Sequence, residues 1–279
     1  MTAPVIRTMT NGDLRTALDW AAAEGWNPGR RDDFCFATVD PDGMLIASVD
    51  GAPVGSITVV NYDAAFAFLG FYIVRPEHRG RGWGMALWRA GMAHAGGRLV
   101  GLDGVPAQAA NYAKSGFVHA WRNLRFAGTL DPAPPHAQLT PLDARHLDAV
   151  AALDRAVFPA ARRGFLEAWL TAAGHIALGH VADGRLTGFG VLRPCREGAK
   201  LGPVTAPDRA TAEALVDGLV ARFGGGRVFL DVPDANPAAL ALAEARAMTP
   251  MFETARMYTG PAPAVDTARI FGVTTFELG

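Results

Sequence analysis

A glycine-rich turn between a strand-like run and a helix-like run is the part of the sequence best suited to bind an anion. The residues over 71–74 are aromatic or β-branched, those over 79–84 read Arg-Gly-Arg-Gly-Trp-Gly, and those over 85–95 carry apolar side chains at helical spacing. The first turn of a helix leaves backbone N–H groups unpaired and carries partial positive charge, so phosphate oxygens bind there. Because glycines allow close backbone approach and the two arginines add charge, we predict a phosphate-binding turn.

Residue spacing separates the kinds of phosphate-binding turn. A Walker loop requires Lys followed by Ser or Thr, whereas Gly84 is followed by Met85, so this type is excluded. The dinucleotide fingerprint is nearer, because Gly80 and Gly82 match its first two glycines and Asp103 lies about 20 residues further on. Its third glycine is missing, and hairpin-linked strands precede the turn, where the fingerprint requires the first βα unit of a parallel sheet. Dinucleotide binding therefore stays a minor alternative.

The elements that must position this turn are predicted from hydrophobic periodicity and from turn-forming residues. A helix capped by Asn11 is predicted over 11–23, and strands over 45–49 and 54–62 form a hairpin through Asp50-Gly51. The remaining predicted elements are a strand over 66–74, a helix over 85–95, a strand over 99–102, a helix over 107–115 and a strand over 117–126. Hairpins combined with helical crossovers predict an α/β fold with a mixed sheet.

Several local sequences return in the second half of the chain in the same order. The paired segments are Asp50-Gly51 and Asp183-Gly184, Leu69-Gly70 and Leu201-Gly202, and Leu102-Asp103 and Leu230-Asp231. An ordered series at a nearly constant offset indicates internal duplication. We therefore predict two copies of one α/β fold, followed by a tail over 267–279 that has no counterpart in the first copy and packs as an extra strand.

The boundary between the copies is predicted at residues 129–136. Three prolines in this short stretch disfavour both helix and ladder pairing. The first domain then covers 1–128 and the second covers 137–279. A chain of 279 residues is also about the length of two ordinary domains.

Composition narrows the classes of partner. The 26 basic and 27 acidic residues give a formal charge of −1, so no basic excess favours nucleic acid. No apolar run reaches the ~20 residues of a membrane span, and no secretory signal is visible, so we expect no membrane association and a cytoplasmic location. Cys35 and Cys195 cannot form a zinc site by themselves, and the histidines lack metal-binding spacing, so no metal is expected.

Two elements of the first half resemble the GNAT acetyltransferase superfamily. The segment 79–84 fits that family's cofactor-loop pattern, Arg/Gln-x-x-Gly-x-Gly/Ala, and follows a run, Ile73-Val74-Arg75-Pro76, that resembles the family's central strand. The segment 112–117, Tyr-Ala-Lys-Ser-Gly-Phe, resembles the family's Tyr-x-Lys-x-Gly-Phe element. The resemblance covers most of residues 4–128, and the second half resembles a diverged copy, as in tandem GNAT proteins.

The resemblance implies a sheet that is splayed between its fourth and fifth strands, with acetyl-CoA as co-substrate in the wedge. The residues it assigns to the cofactor are Phe71, Ile73, Val74, Arg79, Gly80, Arg81, Gly82, Trp83, Gly84 and Met85, with Asn111 or Gln108 on the pantetheine amides. Tyr112 aligns with the family's general acid and is expected to stabilise the departing sulfur.

The resemblance also implies an amine acceptor, which must lose a proton before it attacks. The candidate carboxylates are Asp103, Asp63 and Glu24, and we assign the catalytic role to Asp103. Glu24, Trp26 and Asn27 follow the first helix, where the family usually builds its acceptor pocket, and their types suit a small molecule.

The second copy departs from the family pattern at the cofactor loop. Its corresponding segment, 206–212, contains no glycine and places Asp208 near a helix start, where a carboxylate would repel pyrophosphate. We therefore expect no CoA binding there. The predicted function is N-acetylation of a primary amine of a small molecule by direct attack in a ternary complex. The alternative from another class is a non-catalytic acyl-CoA sensor.

Overall fold

Both halves of the chain contribute strands to one continuous sheet. A computed structural model describes residues 3–134 and 136–279. Met1, Thr2 and Pro135 lie outside the described residues, and Pro135 belongs to the segment predicted as a linker.

The two halves contain the same elements in the same order. The first half comprises β1 (Val5–Thr8), α1 (Asn11–Ala23), α2 (Asp32–Phe36), β2 (Met44–Val49), β3 (Ala52–Asn61), β4 (Phe66–Val74), α3 (Trp83–Ala95), β5 (Leu99–Gly104), α4 (Ala109–Lys114) and β6 (Val118–Leu130). The second half comprises β7 (Leu139–Pro141), α5 (Leu147–Val157), α6 (Arg163–Thr171), β8 (Ile176–Ala182), β9 (Arg185–Pro194), β10 (Ala199–Thr205), α7 (Arg209–Phe223), β11 (Gly226–Pro233), α8 (Pro237–Ala245), β12 (Thr249–Tyr258) and β13 (Ile270–Gly272). Among these elements of the described residues, only β13 lacks a counterpart, so the predicted duplication and the extra C-terminal strand are both confirmed.

Local turn and cap residues explain where these elements begin. The predicted hairpin turn is confirmed, with Asp50 and Gly51 in left-handed conformation at φ values of 50° and 80°. The bounds of α1 are as predicted, but Asn11 is not its cap. Thr10 is the cap, because its hydroxyl accepts a bond from the Asp13 N–H while the Asp13 carboxylate accepts one from the Thr10 N–H.

The two copies exchange their last strands. The sheet order is β1-β2-β3-β4-β5-β12-β6-β11-β10-β9-β8-β7, with β13 paired to β10. Thus β12 of the second copy lies against β5 of the first, and β6 of the first copy lies against β11 of the second, all antiparallel. Because β6 continues to Leu130, it includes the first two residues of the segment predicted as a linker.

Two buried ion pairs hold the exchanged strands. Asp103 on β5 lies opposite Arg256 on β12 and accepts two hydrogen bonds from it at 2.7 and 2.6 Å. Asp231 on β11 lies opposite Arg125 on β6 and accepts two at 2.6 and 2.7 Å. The two aspartates occupy corresponding positions of the duplicated sequence, so each copy supplies a carboxylate to an arginine of the other.

Each copy has a wedge in its sheet where two parallel strands diverge. β4 and β5 pair only over Phe66–Leu69 and Leu99–Leu102, so β4 beyond Leu69 has no neighbour on that side, as the resemblance implied. β10 and β11 pair only over Ala199–Leu201 and Val228–Leu230. In the second copy β13 enters the wedge and pairs antiparallel with β10.

The helices cover both faces of the sheet. α3 packs against β2, β3 and β4, while α7 and α8 cover the second copy's strands. On the opposite face α1, α2, α5 and α6 form one apolar cluster, in which Phe36 of α2 stacks on Trp169 of α6 with ring centroids 6.3 Å apart. A shared apolar cluster makes the two copies parts of one folding unit.

We expect Asp103→Asn to lower the free energy of unfolding by about 3 kcal/mol, because it leaves the buried Arg256 charge unpaired. The matched control is Glu253→Gln, which loses only a solvent-exposed partner of Arg122 and should change stability by less than about 0.5 kcal/mol. Urea unfolding followed by tryptophan fluorescence measures both. A loss under about 1 kcal/mol for Asp103→Asn contradicts the role given to this pair.

Candidate active site

A cavity of about 380 Å³ opens in the wedge of the first copy. Its lining combines the free edge of β4, the start of the glycine turn, the end of β5, α4, and residues of the second copy. The lining residues are Glu24, Trp26, Leu69, Gly70, Phe71, Tyr72, Ile73, Val74, Arg79, Leu102, Asp103, Gly104, Val105, Gln108, Tyr112, Phe252, Thr254, Phe276 and Glu277. The cavity is within the size range of small-molecule sites.

A bulge in β4 shapes one wall of the cavity. Phe71 has a φ of 44°, which is strained for a non-glycine residue, and the register with β3 shifts between Ser56 and Thr58. The buried Ser56 hydroxyl donates a bond of 2.8 Å to the Phe71 carbonyl and holds this conformation. Because β5 has already diverged, the backbone from Phe71 to Val74 lines the cavity, which is the segment predicted to pair with the pantetheine arm.

The glycine turn has the geometry expected of an anion site. Gly80 and Gly82 have φ values of 76° and 80°, which L side chains rarely adopt. Gly82 is the cap of α3 and offers no side chain to its first turn, and the first helical bond runs from the Ala86 N–H to the Gly82 carbonyl at 3.2 Å. The N–H groups of residues 83–85 therefore precede the hydrogen-bonded part of the helix.

Gly84 has a different role from the other two glycines. A Cβ at this position would lie 2.9 Å from the Tyr72 hydroxyl and 3.1 Å from a methyl carbon of Val74. The third glycine therefore allows α3 to approach β4 closely.

The two arginines of the turn are already engaged within the chain. The Arg79 guanidinium donates to the Val74 carbonyl at 2.8 Å and to the Glu24 carboxylate at 2.5 Å. Arg81 donates to the Glu77 carbonyl at 3.2 Å and lies 5.2 Å from the Trp83 ring centroid. The side chains of Arg79 and Arg81 are both exposed. Each guanidinium can therefore also contact an anion bound at the start of α3.

Tyr112 lies across the end of β5 and lines the cavity. Its ring stacks on Trp88 of α3 with centroids 5.7 Å apart, and a Cβ on Gly104 would overlap it. Burial raises the pKa of the Tyr112 phenol to about 12. The phenol is therefore protonated at neutral pH and is available as a hydrogen-bond donor.

Asp103 also lines the cavity, but its carboxylate is fully committed. Besides the two bonds from Arg256, it accepts one of 2.7 Å from the Asn123 side-chain amide. Its side chain is wholly buried. These contacts indicate a structural role for Asp103. The catalytic role assigned to it from the sequence stays a prediction.

The structure distributes the other predicted residues between the cavity and its surroundings. Glu24 and Trp26 line the cavity, as does Gln108. Asn27 does not, since its side chain exchanges two hydrogen bonds of 2.9 and 3.0 Å with the backbone of Glu197 in the second copy. Asn111 instead donates to Gln108 at 2.7 Å. Asp63, the third carboxylate candidate, accepts bonds from the N–H groups of the turn at 65–66 and is not a lining residue.

Four lining residues come from the second copy and were not predicted. Phe252 and Thr254 belong to β12, while Phe276 and Glu277 belong to the tail that follows β13. No local sequence pattern marks them, because strand exchange and the path of the tail bring them to the first wedge. The tail itself was identified, as the segment without a counterpart.

Comparisons with known proteins agree with this geometry. Residues 12–117 match the family model described as "Acetyltransferase (GNAT) family", and residues 150–272 match that described as "Acetyltransferase (GNAT) domain". The chain is 32% identical over 266 residues to the holothin acyltransferase of Pseudoalteromonas sp. (strain SANK 73390), covering 94% of this chain and 90% of that protein. The chain belongs to the GNAT acetyltransferase superfamily. It is a mixed α/β protein with two GNAT domains in tandem.

Solved structures show the same fold at lower identity. A putative acetyltransferase from Pyrococcus horikoshii superposes with a TM-score of 0.84 at 22% identity, covering all of this chain and 97% of the other. A tandem GNAT protein from the clavulanic acid biosynthesis pathway superposes with a TM-score of 0.64 at 19% identity, covering 93% and 99%. The GNAT family makes the chain an acyltransferase that uses an acyl-CoA co-substrate.

Among residues 3–134 and 136–279, no helix is long and apolar enough to cross a membrane. The same residues contain no group of three or more His, Cys, Asp or Glu side chains arranged to hold a metal ion.

We expect one acyl-CoA per chain in calorimetric titration, because the second copy differs from the first in two ways. First, β13 occupies the wedge of the second copy. Second, the Asp208 carboxylate accepts the Thr211 N–H at 2.8 Å at the start of α7, whereas Gly82 at the start of α3 has no side chain to do so. Gly82→Glu is the control variant, and it should reduce the stoichiometry to zero. A stoichiometry of two in the parent protein contradicts the expectation.

Proposed function

We propose that the first copy transfers an acetyl group from acetyl-CoA to the primary amine of a small molecule by direct attack. The observation that carries the proposal is the cavity that joins the free edge of β4, Arg79 at the start of the glycine turn and Tyr112. The predicted cofactor residues 80–85 follow Arg79 at the start of α3 and are not lining residues of the cavity. An extended ligand could pair with the free edge of β4 and place an anionic group near Arg79. Its reacting carbonyl would then lie near Tyr112.

The residues present fit an acyl-CoA. The N–H groups that begin α3 and the positive charge of Arg79 and Arg81 suit a pyrophosphate. The free edge of β4 suits an amide-containing arm that adds to it as a strand. The bound thioester would supply the activated acyl carbon, and we assign to a backbone N–H at the Phe71 bulge the hydrogen bond to its carbonyl oxygen as that oxygen gains charge.

Tyr112 is proposed to stabilise the leaving sulfur. When the amine nitrogen forms the new C–N bond, the C–S bond breaks and the sulfur departs with the electron pair. The Tyr112 phenol donates a hydrogen bond and a proton to that sulfur and regains a proton from solvent. Because burial raises the pKa of Tyr112 to about 12, the phenol stays protonated over the working pH range.

Direct attack is favoured over an acyl-enzyme route by the positions of the thiols. Cys35 and Cys195 are both buried, and neither is a lining residue of the cavity. Burial also raises the pKa of each thiol, which disfavours the thiolate. Within the described residues no cysteine is therefore available as a covalent nucleophile at this site.

The named relative supports a small-molecule amine as acceptor. A holothin acyltransferase acts on holothin by its name, and the match covers nearly the whole of both chains. Phe252 and Phe276 of the second copy line the cavity together with Trp26, and we assign the acceptor to this part of it. The second candidate is an acyl-CoA sensor without turnover. In that case the buried apolar cluster shared by the two copies would transmit the binding of acyl-CoA from the first copy to the second.

Gly82→Glu is expected to abolish thermal stabilisation by acetyl-CoA, since it adds negative charge at the helix start and strains a residue at a φ of 80°. Differential scanning fluorimetry with and without 1 mM acetyl-CoA, roughly a saturating amount, measures this. A variant that unfolds at the parent temperature without ligand and is still stabilised by acetyl-CoA contradicts the site. Stabilisation of the parent by NAD in preference to acetyl-CoA favours the dinucleotide alternative.

Tyr112→Phe is expected to lower kcat by roughly 10²-fold while KM for acetyl-CoA changes little, because the lost hydroxyl acts on the sulfur in the transition state. The assay is thiol release with holothin and a panel of primary amines. Tyr72→Phe, which alters the neighbouring tyrosine of the same cavity, is the matched control. Equal loss in both variants contradicts the specific role of Tyr112, and no thiol release by the parent with any amine favours the sensor.

A further inference from the structure

The cavity contains one carboxylate that no other side chain neutralises directly. Of the three lining carboxylates, Glu24 is bound by Arg79 and Asp103 by Arg256 and Asn123. Glu277 accepts no hydrogen bond from any described residue, and its Oε2 is a buried atom without a partner. Buried carboxylate oxygens are normally hydrogen-bonded, so the carboxylate of this lining residue has hydrogen-bonding capacity left for a ligand that enters the cavity.

The backbone around Glu277 is firmly held, which fixes the carboxylate at the cavity. The Thr275 hydroxyl oxygen accepts the N–H groups of Glu277 and Leu278 at 3.2 and 2.9 Å. The Tyr62 hydroxyl donates to the Leu278 carbonyl at 2.8 Å. Gly70 on β4 permits the approach, because a Cβ there would overlap the Glu277 carbonyl. The tail is thus fastened to the first copy directly beside the bulge at Phe71.

Charged side chains from five elements surround the Glu277 carboxyl. The cations are Arg125 of β6, Arg193 of β9 and Lys200 of β10, and the anion that acts on Glu277 is Asp32 of α2. Asp231 of β11 belongs to the same cluster as the partner of Arg125. Three positive and two negative groups leave one positive charge, which an ionised Glu277 balances. Burial raises the pKa of Glu277 above its ordinary value, while the three cations act against that rise.

The remaining walls at this end of the cavity are mainly aromatic. Trp26, Phe252 and Phe276 line it together with the buried Thr254. The Arg125 guanidinium lies 4.7 Å from the Phe276 ring centroid and thereby holds that ring in place. A flat apolar group can pack against such rings, and a second positive charge on a ligand would find no further free carboxylate among the lining residues.

We propose that Glu277 accepts the proton of the acceptor nitrogen and that the acceptor is a compact aromatic primary amine. The inference rests on the acyl transfer proposed above. The nitrogen gives one proton to the Glu277 carboxylate as its electron pair forms the C–N bond, and the sulfur, released when the C–S bond breaks, takes one proton from Tyr112. Glu277 then loses its proton to solvent, so one amide and one free thiol result. The C-terminal tail therefore completes the active site of the first copy.

Glu277→Gln tests the proton transfer with benzylamine as the acceptor probe. We expect kcat/KM to fall by roughly 10²-fold or more, because the amide cannot accept the proton. At saturating benzylamine the acid limb of the parent's kcat profile, which lies above the ordinary range of Glu because the pKa of Glu277 is raised, should disappear in Glu277→Gln, since turnover requires Glu277 to be deprotonated. Glu277→Asp should recover part of the activity and retain an acid limb.

The control variant is Glu253→Gln, which removes an exposed carboxylate of β12 outside the cavity and should leave the parent's kinetics unchanged. Thermal stabilisation by acetyl-CoA should be retained in Glu277→Gln and in Glu253→Gln, which shows that the fold and the acetyl-CoA site are intact. Calorimetric binding of benzylamine to the CoA-saturated protein gives a second readout, and Glu277→Gln should weaken it at least tenfold. An unchanged acid limb in Glu277→Gln overturns the role of Glu277.

Competition among benzylamine, lysine and spermidine tests the acceptor class. We expect benzylamine to be acetylated in preference to the two more highly charged amines. Preference for spermidine or lysine overturns the aromatic acceptor while leaving acyl transfer intact. Turnover of none of the three or of holothin, with acetyl-CoA still bound, counts against the proposed function itself.

Discussion

The architecture depends on one requirement of the polypeptide backbone: a strand whose neighbour diverges must find another partner for its polar groups. Each copy diverges at the same place, beyond Leu69 in β4 and beyond Leu201 in β10. The second copy meets the requirement internally, since β13 pairs with β10. The first copy leaves its edge facing a cavity. One duplicated fold thus contains a wedge that β13 fills and a wedge that opens on a cavity, and the proposed acyl-CoA site is the open one.

Strand exchange explains why the second copy is retained although its own wedge is filled. Because β12 lies between β5 and β6, two residues of that strand become part of the cavity wall of the first copy. The ion pairs Asp103–Arg256 and Asp231–Arg125 hold the exchanged strands, and the aspartate in each comes from the repeated Leu-Asp sequence. Asp103, which the sequence predicts to be catalytic, therefore has a clear structural function.

The parts of the fold that sequence predicts are those with local causes. The Asp-Gly hairpins, the apolar periodicity of α3 and the glycine turn all follow from nearby residues, and each is present in the structure, with α3 beginning two residues before its predicted start at 85. The cap of α1 was missed because Thr10 and Asn11 are both good cap residues and only the reciprocal bond with Asp13 decides between them.

The acceptor end of the site could not be predicted, because Phe252, Phe276 and Glu277 reach it through pairings of residues more than 100 positions apart. No periodicity or spacing in their own segments shows which copy they will contact. The predicted lining residues Glu24 and Trp26 are sequence neighbours of a recognisable helix end, whereas Asn27, next to them, turns away to the second copy.

The exchange of β6 and β12 also constrains the order in which the molecule can fold. During synthesis the first copy emerges with β5 and β6 lacking the strands that lie between and beside them, β12 and β11, which are still unmade. Exposed strand edges invite wrong pairing, and contacts this distant in sequence form slowly. The sheet of the first half therefore stays incomplete until the second half has been synthesised. We expect the two copies to complete their folding together and late, rather than one after the other.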